Sequence, residues 1–63
     1  MNKFKIINKA FIDSVNDGDM YCGGRAVIEK TETACYLVFI DTMTQEDIDF
    51  VNLRKKLGMM ADV

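Results

Sequence analysis

The sequence predicts a small α+β domain in which an N-terminal helix, an antiparallel β-hairpin or three-stranded sheet, and a C-terminal helix packed on the sheet follow one another. The longest apolar run, residues 34–41, is rich in β-branched and aromatic side chains and too short for an ordinary core helix, which favours a strand. Residues 44–57 begin and end with helix-capping residue types. A chain of 63 residues predicts one α+β domain over residues 1–63.

The predicted central strand is apolar on both of its faces. Side chains on a strand alternate, so Tyr36 and Val38 share one face while Leu37 and Phe39 share the other. A strand with one face in water would alternate apolar and polar residues. Two helices on one face of so small a sheet leave the second apolar face open, and we therefore expect a partner surface to cover it.

Residues 3–15 are predicted to form the first helix. Their apolar residues fall within a narrow arc at helical spacing: Phe4, Ile7, Phe11 and Val15. Residues 3–6 also alternate as a strand does, and a strand there would give a three-stranded meander backed by one helix. Residues 25–30 are predicted to be the strand that forms the hairpin with the central strand.

The second helix is predicted over residues 44–57. Thr44 and Asp47 form a variant of the capping box, and Arg54-Lys55-Lys56 precede Gly58, which is typical of a helix end. Its apolar residues lie in two stripes, one containing Phe50, Leu53 and Leu57 and the other Ile48 and Val51. We expect one stripe to cover the sheet and the other to contact a partner.

The composition argues against catalysis, cofactors and metals. The chain has no histidine, no carboxylate pair lies in an apolar setting, and Cys35 has no neighbouring base. Four zinc ligands cannot be assembled from Cys22 and Cys35 alone. We expect both cysteines to be reduced thiols in a cytoplasmic protein, since no stretch has secretory or membrane-spanning length.

The resulting prediction is a non-catalytic protein–protein interaction module that acts as a homodimer. It would inhibit or modulate a larger macromolecular target. In small size, acidity and lack of catalytic groups the chain resembles host-takeover and counter-defence proteins of bacterial viruses as a class, although no motif matches a named family. The contact residues are predicted on the second helix and the tail: Glu46, Asp47, Ile48, Asp49, Val51, Arg54, Met59 and Met60.

Two alternatives remain from the sequence. An acidic mimic of nucleic acid would use Glu46, Asp47 and Asp49 to block a DNA- or RNA-handling enzyme. A nucleic-acid-binding accessory protein would use the basic residues Arg25, Arg54, Lys55 and Lys56. The net charge of −2 makes direct nucleic-acid binding the less favoured of the two, because such proteins normally present a basic face.

Overall fold

The computed structural model describes residues 2–63 as one antiparallel sheet with two helices, which confirms the α+β class. The elements in chain order are β1 (Lys3–Ile6), α1 (Lys9–Ser14), β2 (Met20–Tyr21), β3 (Ala26–Lys30), β4 (Cys35–Phe39), α2 (Gln45–Lys56) and β5 (Met60–Asp62). A short 3₁₀ turn at Cys22–Gly24 joins β2 to β3. The sheet has five strands, where the sequence predicts two or three, and their order is β2-β3-β4-β1-β5, so the predicted central strand, β4, occupies the middle.

The helix predicted over residues 3–15 is wrong, because two elements share this stretch. Residues 3–6 form β1, which pairs with β4 and β5 and buries Phe4 and Ile6 on one side. The helix begins only after Asn8, whose side chain accepts a hydrogen bond from the Phe11 backbone N–H at 2.9 Å. Pairing with two distant strands gives β1 the backbone hydrogen bonds that a helix would supply locally.

The helix predicted over residues 44–57 is present as α2. Its capping box is formed by the Asp47 N–H donating to Thr44 at 3.2 Å and the Thr44 N–H donating to the Asp47 carboxylate at 3.0 Å. The helix ends before Gly58, which has a φ of 75°. It is not the last element, however, because the chain turns back there and β5 adds a strand beside β1.

The core lies on one face of the sheet, and both helices cover that face. The sheet contributes the buried side chains Phe4, Ile6, Ala26, Ile28, Cys35, Leu37, Phe39 and Met60. Val51 of α2 is buried with them, while Phe11 of α1 and Phe50 of α2 pack against the cluster with part of their surface exposed. Between residues 2 and 63, neither helix has the length and apolar character needed to cross a membrane.

Candidate interaction surface

The second face of the sheet carries no helix, and we call it the open face. It consists of Lys3, Lys5, Met20, Val27, Glu29, Tyr36, Val38, Ile40 and Ala61. Ile40 and Met20 are 63% and 53% exposed, and Tyr36 and Val38 are half-buried. Folding therefore covers only one of the two apolar faces of β4, as its sequence predicts.

One row of the open face is mostly apolar. Antiparallel pairing places Met20 beside Val27, Val27 beside Val38, and Val38 beside Lys3. Side chains of directly opposed residues lie on the same face, so these four form a continuous valine row across four strands. The row ends at Lys3, whose aliphatic stem extends the apolar surface and whose ammonium reaches the neighbouring row.

The neighbouring row carries opposite charges on either side of an aromatic ring. Glu29 of β3 and Lys5 of β1 both pair with Tyr36 of β4, and Ala61 of β5 follows Lys5. We call this the tyrosine row. The Lys3 ammonium lies 4.4 Å from the centre of the Tyr36 ring and 3.8 Å from the Glu29 carboxylate. The aromatic side chain thus lies between a carboxylate on one strand and ammonium groups on the other.

The two edges of the sheet are less suited to binding than its open face. The edge strands β2 and β5 have two and three residues respectively. Edge pairing with another chain needs a row of unpaired backbone groups, and short edge strands offer few of them. The open face is therefore the larger surface for a partner.

The predicted contact residue Asp47 has a structural role instead. Its carboxylate accepts two hydrogen bonds from the Arg25 guanidinium, from Nε at 2.6 Å and from Nη2 at 2.8 Å. Asp47 is 2% exposed. The hydrogen bonds from Arg25 hold the pKa of this carboxyl far below its usual range, and backbone hydrogen bonding at Thr44 acts in the same direction. The ion pair attaches the start of β3 to the N-terminus of α2.

The other predicted contact residues are divided between the core and the surface. Val51 and Met60 are buried, so their side chains pack inside the domain. Arg54 is half-buried, with its guanidinium 3.7 Å from the centre of the Phe50 ring. The remaining members are exposed or half-exposed on the helix layer, opposite to the open face: Glu46, Ile48, Asp49 and Met59. The structure does not bring the eight residues together into one surface.

The basic residues proposed for nucleic-acid binding are mostly engaged within the domain. Arg25 is paired with Asp47, Arg54 stacks on Phe50, and Lys55 Nζ lies 3.0 Å from the Asp62 carboxylate. Asp47 is likewise unavailable to an acidic mimic, which leaves Glu46 and Asp49 of the three carboxylates that such a mimic would use.

Neither thiol lies in a setting that activates it. Burial raises the pKa of Cys35, and burial together with the negative charge of Asp47 raises the pKa of Cys22. A raised pKa lowers the fraction of nucleophilic thiolate. Within residues 2–63, no three potential metal-ligating side chains cluster together.

A groove of about 480 Å³ lies between α1 and the β3–β4 hairpin. Three of its five charged side chains already have partners. Lys30 donates to the backbone oxygens of Ile12 and Val15, and Lys9 pairs with Asp13 at 3.1 Å. These contacts leave few polar groups in the groove, among them Lys5 and Glu32, to fix a small ligand.

Most residues of the open face could not be identified from the sequence. The apolar alternation of β4 identifies Tyr36 and Val38, but Met20, Val27 and Lys5 join them only through strand register. Comparisons of the chain with protein-family models, with curated proteins and with solved structures find no match.

Proposed function

We propose that this protein is a non-catalytic protein–protein interaction module whose contact surface is the open face. The observation that carries the proposal is the uncovered second face of β4, where Val38 and Tyr36 are half-buried and Ile40, directly after the strand, is 63% exposed. Contiguous exposed apolar surface with a polar rim is typical of protein-binding sites. Aromatic residues and methionine, present here as Tyr36 and Met20, are enriched in such sites.

The shape and charge of the open face favour a protein over other ligands. Small molecules bind in concave sites, whereas this surface is the face of a sheet. Nucleic acid requires several uncompensated cations, whereas Lys3 lies 3.8 Å from Glu29. The mixed charges instead suit a protein surface with complementary charges around an apolar centre.

We further propose that the protein modulates a larger macromolecular target, and that it does so in the cytoplasm. Cys22 and Cys35 are free thiols, which supports a reducing compartment. The exposed side chains of α2, among them Glu46, Ile48 and Asp49, remain available for a target if the open face is occupied by another copy of the chain.

The test is a capture experiment with a variant of the open face. Val38→Glu introduces a charge at the centre of the face, where Val38 is half-buried and pairs with Lys3 and Val27. The immobilised chain is exposed to a cell lysate supplemented with untagged copies of itself, and bound protein is quantified. We expect Val38→Glu to reduce the bound amount by at least about ten-fold, because the carboxylate must lose its water on binding and the neighbouring Lys3 already lies 3.8 Å from Glu29.

The matched control is Leu53→Glu, which introduces the same charge on the helix layer, where Leu53 is 52% exposed. It should leave the captured amount of the untagged copies unchanged. Equal capture by both variants, or no capture by the unmodified chain, would contradict the proposal. Raising the salt concentration should have little effect on an apolar contact, whereas a steep loss of binding with salt would indicate a charge-driven acidic mimic.

A further inference from the structure

Resting on the proposed function, we infer that the occupant of the open face is a second copy of this chain, packed face to face about a two-fold axis that runs along β4. Symmetric dimers are the commonest oligomers, and their interfaces must be self-complementary. The charges of the tyrosine row are self-complementary when the two-fold axis runs along β4, but not when it runs perpendicular to the strands.

An axis along β4 exchanges the strands on either side of it. β1 and β3 flank β4 at the same spacing, about 4.8 Å, so the rotation places β1 of one copy over β3 of the other. Glu29 then faces Lys5 of the second copy, and the symmetry forms this pair twice. Tyr36 lies near the axis and meets its own counterpart. The row therefore matches a carboxylate with an ammonium at both ends of the interface.

The valine row is compatible with the same rotation. Val38 lies near the axis and contacts its counterpart, while Val27 faces the aliphatic stem of Lys3 from the second copy. A lysine stem can cover apolar surface. The Lys3 ammonium lies over the Tyr36 ring and 3.8 Å from Glu29 of its own copy, so the interface encloses this charge together with its counter-charge.

An axis perpendicular to the strands gives the opposite result. That rotation keeps β1 over β1 and β3 over β3 but exchanges the two rows. Lys5 would then face Lys3 of the second copy, and Glu29 would face Val27. Like charges in contact and a carboxylate on an apolar side chain both oppose association. The charge pattern therefore selects the axis along β4.

The size of the chain fits such a dimer. The two longer extents of the Cα trace are 30 and 24 Å, so one face of the domain can contribute at most roughly the 800 Å² that each partner gives to a standard interface. Facing sheets pack about 10 Å apart, with their strands within about 30° of each other. A rotation of this size between the two sheets keeps each row close to the same row of the second copy.

The test uses charge reversal on the two exposed residues of the tyrosine row. Light scattering across a dilution series at about 0.1 M salt should give twice the 7.2 kDa mass of the chain at high concentration. Lys5→Glu and Glu29→Lys should each raise the dimer dissociation constant by at least about ten-fold, since each places like charges in contact twice. An equimolar mixture of the two variants should form a heterodimer, and the double variant should form a homodimer.

The control is Lys56→Glu, an exposed charge reversal on α2 that should leave the dissociation constant unchanged. Circular dichroism of each variant shows whether it is folded, and the mixture itself requires two folded partners. A monomeric unmodified chain at every concentration, or a mixture that stays monomeric, would overturn the inference. A monomer whose capture of another protein is still lost in Val38→Glu would overturn only the self-association and leave the proposed function in place.

Discussion

Replacing Phe39 by alanine is expected to unfold the domain at room temperature. Phe39 is 1% exposed at the end of the central strand, and its ring packs edge-on against Phe4 with 6.1 Å between the ring centres. Truncating a buried phenylalanine costs about 3–5 kcal/mol. A domain of this size has roughly the same total stability, so the loss is comparable to the whole free energy of unfolding. Near- and far-ultraviolet circular dichroism of the variant should show the loss of tertiary and secondary structure.

Two further variants give this prediction its controls. Phe39→Leu retains most of the side-chain volume and should stay folded, with a free energy of unfolding lowered by about 1–1.5 kcal/mol. Leu57→Ala removes an equally apolar side chain that is 63% exposed, and it should change stability by about 0.5 kcal/mol or less. A folded Phe39→Ala variant with nearly unchanged stability would contradict the placement of the core on the helix side of the sheet.

The second large effect is expected at the ion pair between β3 and α2. Asp47→Asn keeps the shape of the side chain but leaves the Arg25 guanidinium, which donates to it at 2.6 and 2.8 Å, without its counter-charge. Breaking one partner of a buried pair is strongly destabilising, and we expect Tm to fall by about 10 °C or more. Asp49→Asn is the matched control on the same helix, where the carboxylate is exposed and only accepts from Gln45 at 3.0 Å. Its Tm should change by about 3 °C or less.

The same pair predicts a specific pH dependence. Because the hydrogen bonds from Arg25 lower the pKa of Asp47 in the folded state, the pair stabilises the fold fully above the ordinary aspartate pKa of 3.8. That contribution is lost as the pH falls below this value towards the folded pKa. The difference in Tm between the unmodified chain and Asp47→Asn should therefore be constant near neutral pH and shrink below about pH 4. A difference that stays constant down to pH 2 would contradict a paired, ionised Asp47.

The elements that the sequence predicts best are those with local signals. For α2, the start is marked by Thr44 and Asp47 and the end by Gly58, and all of these act within one turn of the helix. The strand β4 is likewise specified by its own apolar run. Such signals do not depend on which other part of the chain lies nearby.

The elements that the sequence predicts poorly depend on distant pairing. Phe4 and Ile6 face the core as a strand, although Phe4, Ile7 and Phe11 also match a helical spacing that here spans two elements. The tail around Met60 and Ala61 has no strand pattern of its own, and it becomes β5 because β1 offers an unpaired edge. Intrinsic helix and strand propensities do not determine the secondary structure of these two segments, because pairing with distant strands decides it.

The sequence predicts that an uncovered apolar surface exists, but it does not identify the residues that form it. The two apolar faces of β4 predict that one face stays uncovered, yet the contact residues were predicted on α2, where Asp47 and Val51 prove to be buried. The two stripes of α2 do not indicate which one faces the sheet. The charge pattern of Glu29 and Lys5 around Tyr36 appears only when the register of three strands is known.

The most direct test of the open face as the contact surface is a series of ¹H–¹⁵N correlation spectra of the unmodified chain recorded over a wide range of dilution. Self-association through this face predicts concentration-dependent shifts at Val27, Tyr36 and Val38, with constant positions for Leu53 and Leu57 on the outer side of α2. Shifts that map to α2 with a constant sheet would contradict the account. Spectra that do not change at any concentration would contradict self-association and leave the face to a different protein.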